Sequence, residues 1–166
     1  MAATTPTRTT RATRAWSLRA PATAVLPAAI RDAVVAHALA EAPNEACGIV
    51  VGDRAAAEGG RALRWVALRN GARSPYRYSI ETDDLLRLTV ETDDADEVFW
   101  AIVHSHVASP ARPSPTELRE SHYPDSLYVL VSLAPSESDP ATGAPSVRAW
   151  RIVDRGVHEV RVSIEA

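Results

Sequence analysis

The sequence predicts a single α/β domain in which helices flank a mixed β-sheet. Three observations support this prediction. The expected elements follow the order helix, three strands, helix, strand, helix and three strands. Two near-continuous apolar runs, at 98–106 and 127–133, are typical of strands that are buried on both faces. Of the 166 residues, 46% are hydrophobic and 23% are charged, which is the balance of a folded domain with one core.

The first half of the chain provides a tail, a helix and three strands. Residues 1–24 are rich in Thr, Ala, Arg and Pro without apolar periodicity, so we expect a disordered tail, followed by one domain over 25–166. A helix is expected from Pro27 to about Glu41, because Pro is favourable at the first helical position and apolar residues then recur at helical spacing. The predicted strands are 47–52, 61–68 and 76–81.

The second half alternates helices with apolar strands. Thr82 and the two acids after it open a helix that is expected to reach about Asp93, in line with the helix dipole. Ser114 opens a short helix to about His122. The predicted strands are 98–106, 127–133 and a closing hairpin, 147–153 and 157–164, around Gly156.

Composition excludes several classes of function. The single cysteine, Cys47, rules out an intrachain disulfide framework and a Cys-only zinc cluster. All 18 basic residues are Arg, which removes lysine Schiff-base chemistry. The net charge is −3, and five Arg residues precede the first acid, Asp32, so subtracting them leaves −8 on residues 32–166. An acidic body of this kind does not favour a nucleic-acid partner.

No apolar run approaches the roughly 18 residues that span a bilayer, and no signal-peptide pattern opens the chain. We therefore expect a cytoplasmic protein without a membrane partner. An organellar transit peptide is the alternative interpretation of the Arg- and Thr-rich start. The sequence carries no signal for an oligomeric state.

The most informative motif is His104-Ser105-His106, which ends the apolar strand at 98–106. Residues i and i+2 of a strand face the same side, so both imidazoles point one way with Cβ atoms roughly 6–7 Å apart. That separation suits two nitrogen ligands at about 2.0–2.1 Å from one zinc ion. The alternative interpretation is simply a polar end to an apolar strand.

A second motif, Ser114-Pro115-Thr116-Glu117, follows after seven residues of loop. It has the form of a helix start, with an N-cap Ser, a Pro at the first helical position and a Glu that completes a capping box. A carboxylate at that place can supply a third metal ligand, and the hydroxyl can point at the open position of the metal. Capping alone also explains the segment, so both interpretations stay open.

The run HSHVASPARPSPTE resembles the signature of the JAMM (MPN+) metallopeptidases, which is His-x-His, seven residues, Ser, two residues and Asp, with a Glu upstream near a first strand. His104, His106 and Ser114 match this signature. Glu45, in NEACGIVVG, matches the upstream glutamate. Three further segments resemble the small actinobacterial members, namely 69–78, 94–106 and 125–132. The likeness covers about residues 27–155.

This resemblance implies an MPN/JAMM (cytidine-deaminase-like) fold with a zinc site. The metal would be held by His104, His106 and Glu117. Glu117 stands where the family has an Asp, whose side chain is shorter by one methylene. Glu45 would act as the general base toward the attacking water. Ser114 would donate a hydrogen bond to the developing oxyanion.

The resemblance also implies a substrate class. Small bacterial relatives act after the C-terminal Gly-Gly of a ubiquitin-like sulfur-carrier protein, and the actinobacterial members release cysteine from such a carrier. We therefore expect a zinc-dependent hydrolase of a peptide or isopeptide bond with that carrier as its partner. Two alternatives use the same fold. One is a catalytically silent MPN-type binding module, and the other is a deubiquitinase-like isopeptidase acting on conjugated proteins.

Three other residues offer alternative chemistry near these motifs. A cysteine hydrolase would use Cys47 as its nucleophile and one of the histidines as its base. The position of Cys47 at the start of an apolar strand favours a small buried hydrophobe instead. His122 and Asp125 are substitutes for Glu117 as a metal ligand, although His122 lies roughly 140° around a helix from Glu117.

Overall fold

A mixed sheet of seven strands with three α-helices forms the fold of residues 22–166, the part of the chain that the computed structural model describes. The strands are β1 Thr23–Pro27, β2 Cys47–Gly52, β3 Ala62–Leu68, β4 Val98–His106, β5 Leu127–Ser132, β6 Ser146–Val153 and β7 Gly156–Glu165, and the helices are α1 Ala28–Glu41, α2 Thr82–Asp94 and α3 Pro115–Glu120. The strand order is β1-β7-β6-β5-β4-β2-β3. Neighbouring strands are antiparallel except for the pairs β1·β7 and β4·β5, which are parallel.

The centre of the sheet is buried on both faces, as the apolar runs predict. One face packs against α1 through Val34 and includes Val103 of β4. The opposite face packs against α2 through Leu88 and includes Ile102. Because successive side chains of a strand alternate, the histidines that end β4 share the α2 side with Ile102. The prediction of a mixed sheet with flanking helices is confirmed.

Helix α1 lies where the sequence predicts it, apart from its first residue. Pro27 ends β1, and the helix begins at the next residue. Ile30, Val34 and Ala38 form its buried stripe. The helix ends at Glu41 because the following residue precedes a proline and takes the extended conformation that proline favours there.

Helix α2 begins at Thr82, as predicted, with two acids in its first turn. One of them, Asp84, accepts hydrogen bonds from Arg69 Nε at 2.8 Å and from Arg87 Nη2 at 2.8 Å. The hydrogen bond from Arg69 is the main reason that the pKa of Asp84 falls to about 2. The ion pair between Arg69 and Asp84 joins α2 to the segment that follows β3.

The predicted closing hairpin is present as β6 and β7. Its turn consists of Asp154 and Arg155, whose φ angles are 50° and 64°, and Gly156 begins β7. Positive φ at two central residues is the conformation of the type I′ turn that suits two-residue hairpins. The turn therefore lies just before Gly156 and not around it.

The strand predicted at 76–81 is wrong. Residues 69–81 form a loop that meets the sheet pattern only at an isolated bridge between Asn70 and Ile80. Pro75, just before the predicted strand, has no N–H to donate to a ladder. The side chain of Asn70 also bonds two main-chain groups of the predicted strand, Arg77 O and Ser79 N, that a strand ladder would otherwise use.

The sequence does not predict β1, which pairs in parallel with β7 from Thr23 opposite Arg161 to Pro27 opposite Glu165. Thr23 and Ala24, the last residues of the expected tail 1–24, belong to this strand, which leaves no local pattern because its partner lies at the far end of the chain. The rest of the predicted tail, residues 1–21, lies outside the described residues. No helix of the described part is long and apolar enough to cross a membrane.

Candidate metal centre

Two histidines lie at the carboxyl end of β4, in the middle of the sheet. His104 is opposite Cys47 of β2 and Leu130 of β5, and both His104 and His106 are buried, with 2% and 5% of their surface exposed. After the carboxyl end of β4 the chain forms α3 and then returns as the parallel strand β5. The carboxyl ends of parallel strands are where open α/β sheets bind their ligands.

The loop between β4 and α3, residues 107–113, is fastened to the sheet by hydrogen bonds to its carbonyl groups. Ser132 Oγ donates to Ser109 O at 2.7 Å. Trp150 Nε1 donates to Ala111 O at 2.9 Å. These bonds fix the position from which α3 starts.

Helix α3 begins with the capping box that the sequence predicts. Ser114 is the N-cap, and its Oγ accepts a hydrogen bond from Glu117 N at 3.3 Å. In return, Glu117 Oε2 accepts from Ser114 N at 2.5 Å. Pro115 occupies the first helical position. The structure therefore places Ser114 and Glu117 together at the helix start, with Glu117 turned back toward β4.

The second oxygen of Glu117 faces the two histidines. Glu117 Oε1 lies 2.6 Å from His104 Nε2 and 3.0 Å from His106 Nε2, and the two Nε2 atoms are 3.2 Å apart. Within residues 22–166, one group of at least three His, Cys, Asp or Glu residues has ligand atoms that all lie within 4.8 Å of one another. It consists of these three residues. One oxygen caps the helix while the other faces the histidines, so the capping box is present and is geometrically compatible with a ligand role for the second oxygen.

Burial and hydrogen bonding set the charge of these side chains. Burial lowers the pKa of His104, which favours the neutral imidazole. Burial alone would raise the pKa of Glu117, but hydrogen bonds with His104 and His106 outweigh it and hold that pKa well below its usual range. His106 Nδ1 donates to Pro110 O at 2.6 Å, which leaves the Nε2 lone pair of its neutral form directed at the cluster.

Glu45 lies beside the cluster, just before β2. The antiparallel register sets Cys47 opposite His104. The hydrogen bond from Ser105 N to Ala46 O, at 3.0 Å, continues this register beyond the end of β2, so Glu45 lies opposite His106. The Glu45 side chain is 3% exposed, and its Oε2 has no hydrogen-bond partner among the described residues. Burial raises the pKa of Glu45 to about 7, against a lowering effect of His106.

Cys47 has the properties of a core residue. Its side chain is 1% exposed, and its thiol contacts Leu68 O at 3.6 Å. Burial raises the pKa of the Cys47 thiol to about 12. Because the thiolate is the nucleophilic form, a thiol that stays protonated at neutral pH is inert. The geometry therefore disfavours the cysteine-hydrolase alternative.

The two substitute ligands considered for Glu117 lie apart from the cluster. His122 is exposed and follows the end of α3. Asp125 lies just before β5 and its carbonyl accepts a hydrogen bond from Ala57 N at 3.2 Å. Neither residue belongs to the ligand group described above.

Two residues of the loop 69–81 also reach the site, and the motif analysis does not single them out. Tyr78 stacks on the ring of His104, with centroids 4.3 Å apart and an interplanar angle of 21°. Asn70 Nδ2 donates to Glu45 O at 2.9 Å. The sequence offered two signals for this loop, the Asn70-Gly71 pair, which is typical of a turn, and the family resemblance of 69–78, but neither shows which residues the loop contacts.

Several known proteins are similar to this chain. Proteins of Mycobacterium tuberculosis and Mycobacterium bovis named CysO-cysteine peptidase are 37% identical over 140 residues, which is 84% of this chain and 90% of theirs. A solved structure from Desulfitobacterium hafniense matches 86% of this chain and 92% of its own, with 28% identity and a TM-score of 0.70. A JAB1/MPN domain protein from Archaeoglobus fulgidus, 14% identical, matches 86% of this chain and 99% of its own with a TM-score of 0.53, and shows the fold alone.

A family profile agrees with these similarities. The profile described as prokaryotic homologs of the JAB domain matches residues 27–153. That range includes α1, the sheet from β2 to β6 and all residues of the cluster. The chain therefore belongs to the JAB/MPN domain family, in its prokaryotic branch.

Proposed function

We propose that the protein is a zinc-dependent peptidase that cleaves the bond after the C-terminal glycine of a ubiquitin-like sulfur-carrier protein and releases cysteine. The observation that carries the proposal is the convergence of His104, His106 and Glu117 at the carboxyl end of the interior strand β4, with the buried carboxyl of Glu45 beside them. The substrate class is supported by the relatives named CysO-cysteine peptidase, which match 84% of this chain.

The donor atoms of the cluster suit zinc. Two imidazole nitrogens and one carboxylate oxygen are a ligand set of catalytic zinc sites, in which the fourth position stays open. Tetrahedral bonds of about 2.0–2.1 Å set two ligand atoms roughly 3.3 Å apart. The Nε2 atoms of His104 and His106 are 3.2 Å apart, close to that separation, whereas Glu117 Oε1 lies 2.6 Å and 3.0 Å from them, which are hydrogen-bond distances. A zinc ion held there would polarise the scissile carbonyl and acidify a water molecule.

Glu45 is suited to carry the proton in this reaction. Its carboxyl is buried, and in the metal-free protein burial raises its pKa to about 7, so this group can hold a proton near neutral pH. In hydrolysis, the water oxygen bonds to the glycyl carbonyl carbon, the carbon–nitrogen bond breaks, and the proton held on Glu45 passes to the leaving amine of cysteine.

Ser114 is suited to stabilise the oxyanion that forms on the carbonyl. Its Oγ accepts a hydrogen bond from Glu117 N, an interaction that uses an oxygen lone pair and leaves the hydroxyl proton available. A donor held in a capping box needs no reorganisation as charge develops. The same contact that starts α3 thus orients the proposed donor.

Cleavage of two defined substrates tests the proposal. Zinc-loaded protein is incubated with a carrier protein ending in Gly-Gly that bears cysteine in amide linkage, and in parallel with a carrier–lysine isopeptide. We expect mass spectrometry to show rapid release of cysteine and slow cleavage of the isopeptide. Glu45→Gln should abolish release while zinc stays bound, and the exposed Glu120→Gln on α3 should behave as wild type.

Other outcomes select the alternatives. Folded, zinc-loaded protein that cleaves neither substrate would be a silent binding module of the same fold. Preferential cleavage of the lysine isopeptide would identify a deubiquitinase-like enzyme. Loss of zinc in Glu45→Gln would make Glu45 a ligand and remove it as the base.

A further inference from the structure

The loop 69–81 owes its shape to one side chain. Asn70 Oδ1 accepts hydrogen bonds from Ala72 N and from Ser79 N, both at 3.0 Å. Its Nδ2 donates to Arg77 O at 3.3 Å. Tyr78 is thus fixed in position on both sides, because the main chains of its two neighbours in sequence, Arg77 and Ser79, are both hydrogen-bonded to the Asn70 side chain.

The same loop is attached to the main chain of Glu45. Glu45 N donates to Ser74 O at 2.9 Å, and Glu45 O accepts from Asn70 Nδ2 at 2.9 Å. Asn70 therefore links the backbone of the proposed base to the segment that bears Tyr78. Movement of the loop would displace both sides of the site.

The two histidines of the cluster are held in different ways. His106 has the usual arrangement of a metal-binding histidine, with its second ring nitrogen bonded to a carbonyl oxygen, Pro110 O. His104 Nδ1 is buried and has no hydrogen-bond partner among residues 22–166. The ring of His104 is instead covered by Tyr78, stacked at 4.3 Å.

We propose that Tyr78 is the positioning residue of His104, and that Asn70 holds Tyr78 in place. The stack fixes the plane of the His104 ring, as the bond to Pro110 fixes that of His106. The inference rests on the proposed function only in treating His104 as a metal ligand, because the stack itself belongs to the protein without metal.

The ring of Tyr78, and not its hydroxyl, performs this role. None of the described residues forms a hydrogen bond with the hydroxyl, whose pKa is raised by burial so that it stays neutral. A phenylalanine can therefore make the same stack, whereas a leucine of similar reach cannot. Tyr76, in the same loop but 88% exposed, provides a matched control.

Two measurements on Tyr78→Phe, Tyr78→Leu and Tyr76→Leu test the proposal. The first is zinc affinity, measured by competition with a chromophoric chelator. The second is the position of the His104 ring proton signals in NMR spectra of the metal-free protein, which are displaced by the ring current of a stacked aromatic. Thermal unfolding of each variant shows that it is folded.

We expect Tyr78→Leu to weaken zinc binding about ten- to a hundredfold, as loss of an outer partner of a metal ligand does. Its His104 ring signals should move toward those of an unstacked histidine. Tyr78→Phe should bind zinc within about twofold of wild type and keep the ring-current displacement, as should Tyr76→Leu. A folded Tyr78→Leu with wild-type zinc affinity or unmoved His104 signals would overturn the proposal.

Two further outcomes are decisive in the same way. Wild-type protein that binds no zinc would refute the proposed function. The His104 ring signals alone would then test whether Tyr78 positions the His104 ring. If Tyr78→Leu does not fold, Asn70→Asp replaces it, because it keeps the two accepted bonds and loses both donated ones. If the His104 ring signals of Asn70→Asp differ from those of wild type, the proposal is supported, and if they are the same as in wild type, it is contradicted.

Discussion

Replacing Glu45 by Gln should stabilise the metal-free protein at alkaline pH. The folded state must bury the Glu45 carboxylate once it ionises, and burial raises its pKa from 4.5 to about 7. Below about pH 4 the carboxyl is protonated in both the folded and the unfolded states. As pH rises from about 4.5 to about 7, the unfolded state releases the Glu45 proton while the folded state still holds it, so wild-type protein loses stability that a non-titrating Gln retains.

The size of the effect follows from the same rise in pKa. An increase from 4.5 to about 7 corresponds to at most about 3 kcal/mol in the free energy of unfolding above pH 8. For a domain of this size that is roughly 6–12 °C in melting temperature. Near pH 4 the difference between Glu45→Gln and wild type should vanish.

Urea unfolding at pH 4.5, 6 and 8, in the presence of a chelator, measures the difference between the two proteins. Effects common to both cancel at each pH. Glu120→Gln, an exposed substitution, should show a small difference from wild type that does not change with pH. A difference for Glu45→Gln that is equally independent of pH would refute the argument that ionisation of Glu45 is penalised in the folded state.

Three further predictions follow from the contacts of the site and of β1. Glu117→Ala should weaken zinc binding by more than about a hundredfold, and it should lower the free energy of unfolding by about 1 kcal/mol because the helix cap is lost. Glu117→Asp should keep the metal. If Glu117→Ala retains zinc, Glu117 has a capping role alone. Cys47→Ala should keep hydrolytic activity, and in wild-type protein the Cys47 thiol should not react with iodoacetamide at pH 7.5 until the protein unfolds. Loss of activity in Cys47→Ala would support the cysteine-hydrolase alternative. Deleting residues 1–21 should leave the melting temperature unchanged. Deleting residues 1–27 should lower the melting temperature, because it removes Leu26, whose burial is worth about 1.5–3 kcal/mol. Equal melting temperatures for the two deletions would contradict the pairing of β1.

Elements with a strong local signal were predictable from the sequence. The apolar run that becomes β4 needs burial on both faces, and the Ser114-Pro115 start of α3 satisfies its own N-terminal donors. β1 lacked such a signal, since its stability comes from pairing with β7 at the other end of the chain. Pairing of this kind depends on the whole fold and not on five residues of pattern.

The site was predictable in its residue types but not in its contacts. Spacing on a strand and at a helix start brought His104, His106 and Glu117 into consideration. It could not show that the two oxygens of Glu117 divide between Ser114 N and the histidines, because that depends on a rotamer set by both partners.

The contact of Tyr78 with His104 was beyond the reach of sequence patterns for a similar reason. The segment at 76–81 alternates like a strand, and that alternation suggested the wrong element. Its true shape depends on the hydrogen bonds of Asn70, one side chain several residues away. A periodicity argument counts apolar positions and does not register a polar side chain that organises a loop.

The zinc content of the purified protein tests the central claim most directly. Elemental analysis of protein prepared without chelator should find about one zinc per chain, held by His104, His106 and Glu117. Protein stripped with chelator and supplied with zinc should recover the same ratio. Negligible zinc that added metal does not restore, in protein that is folded, would contradict the account.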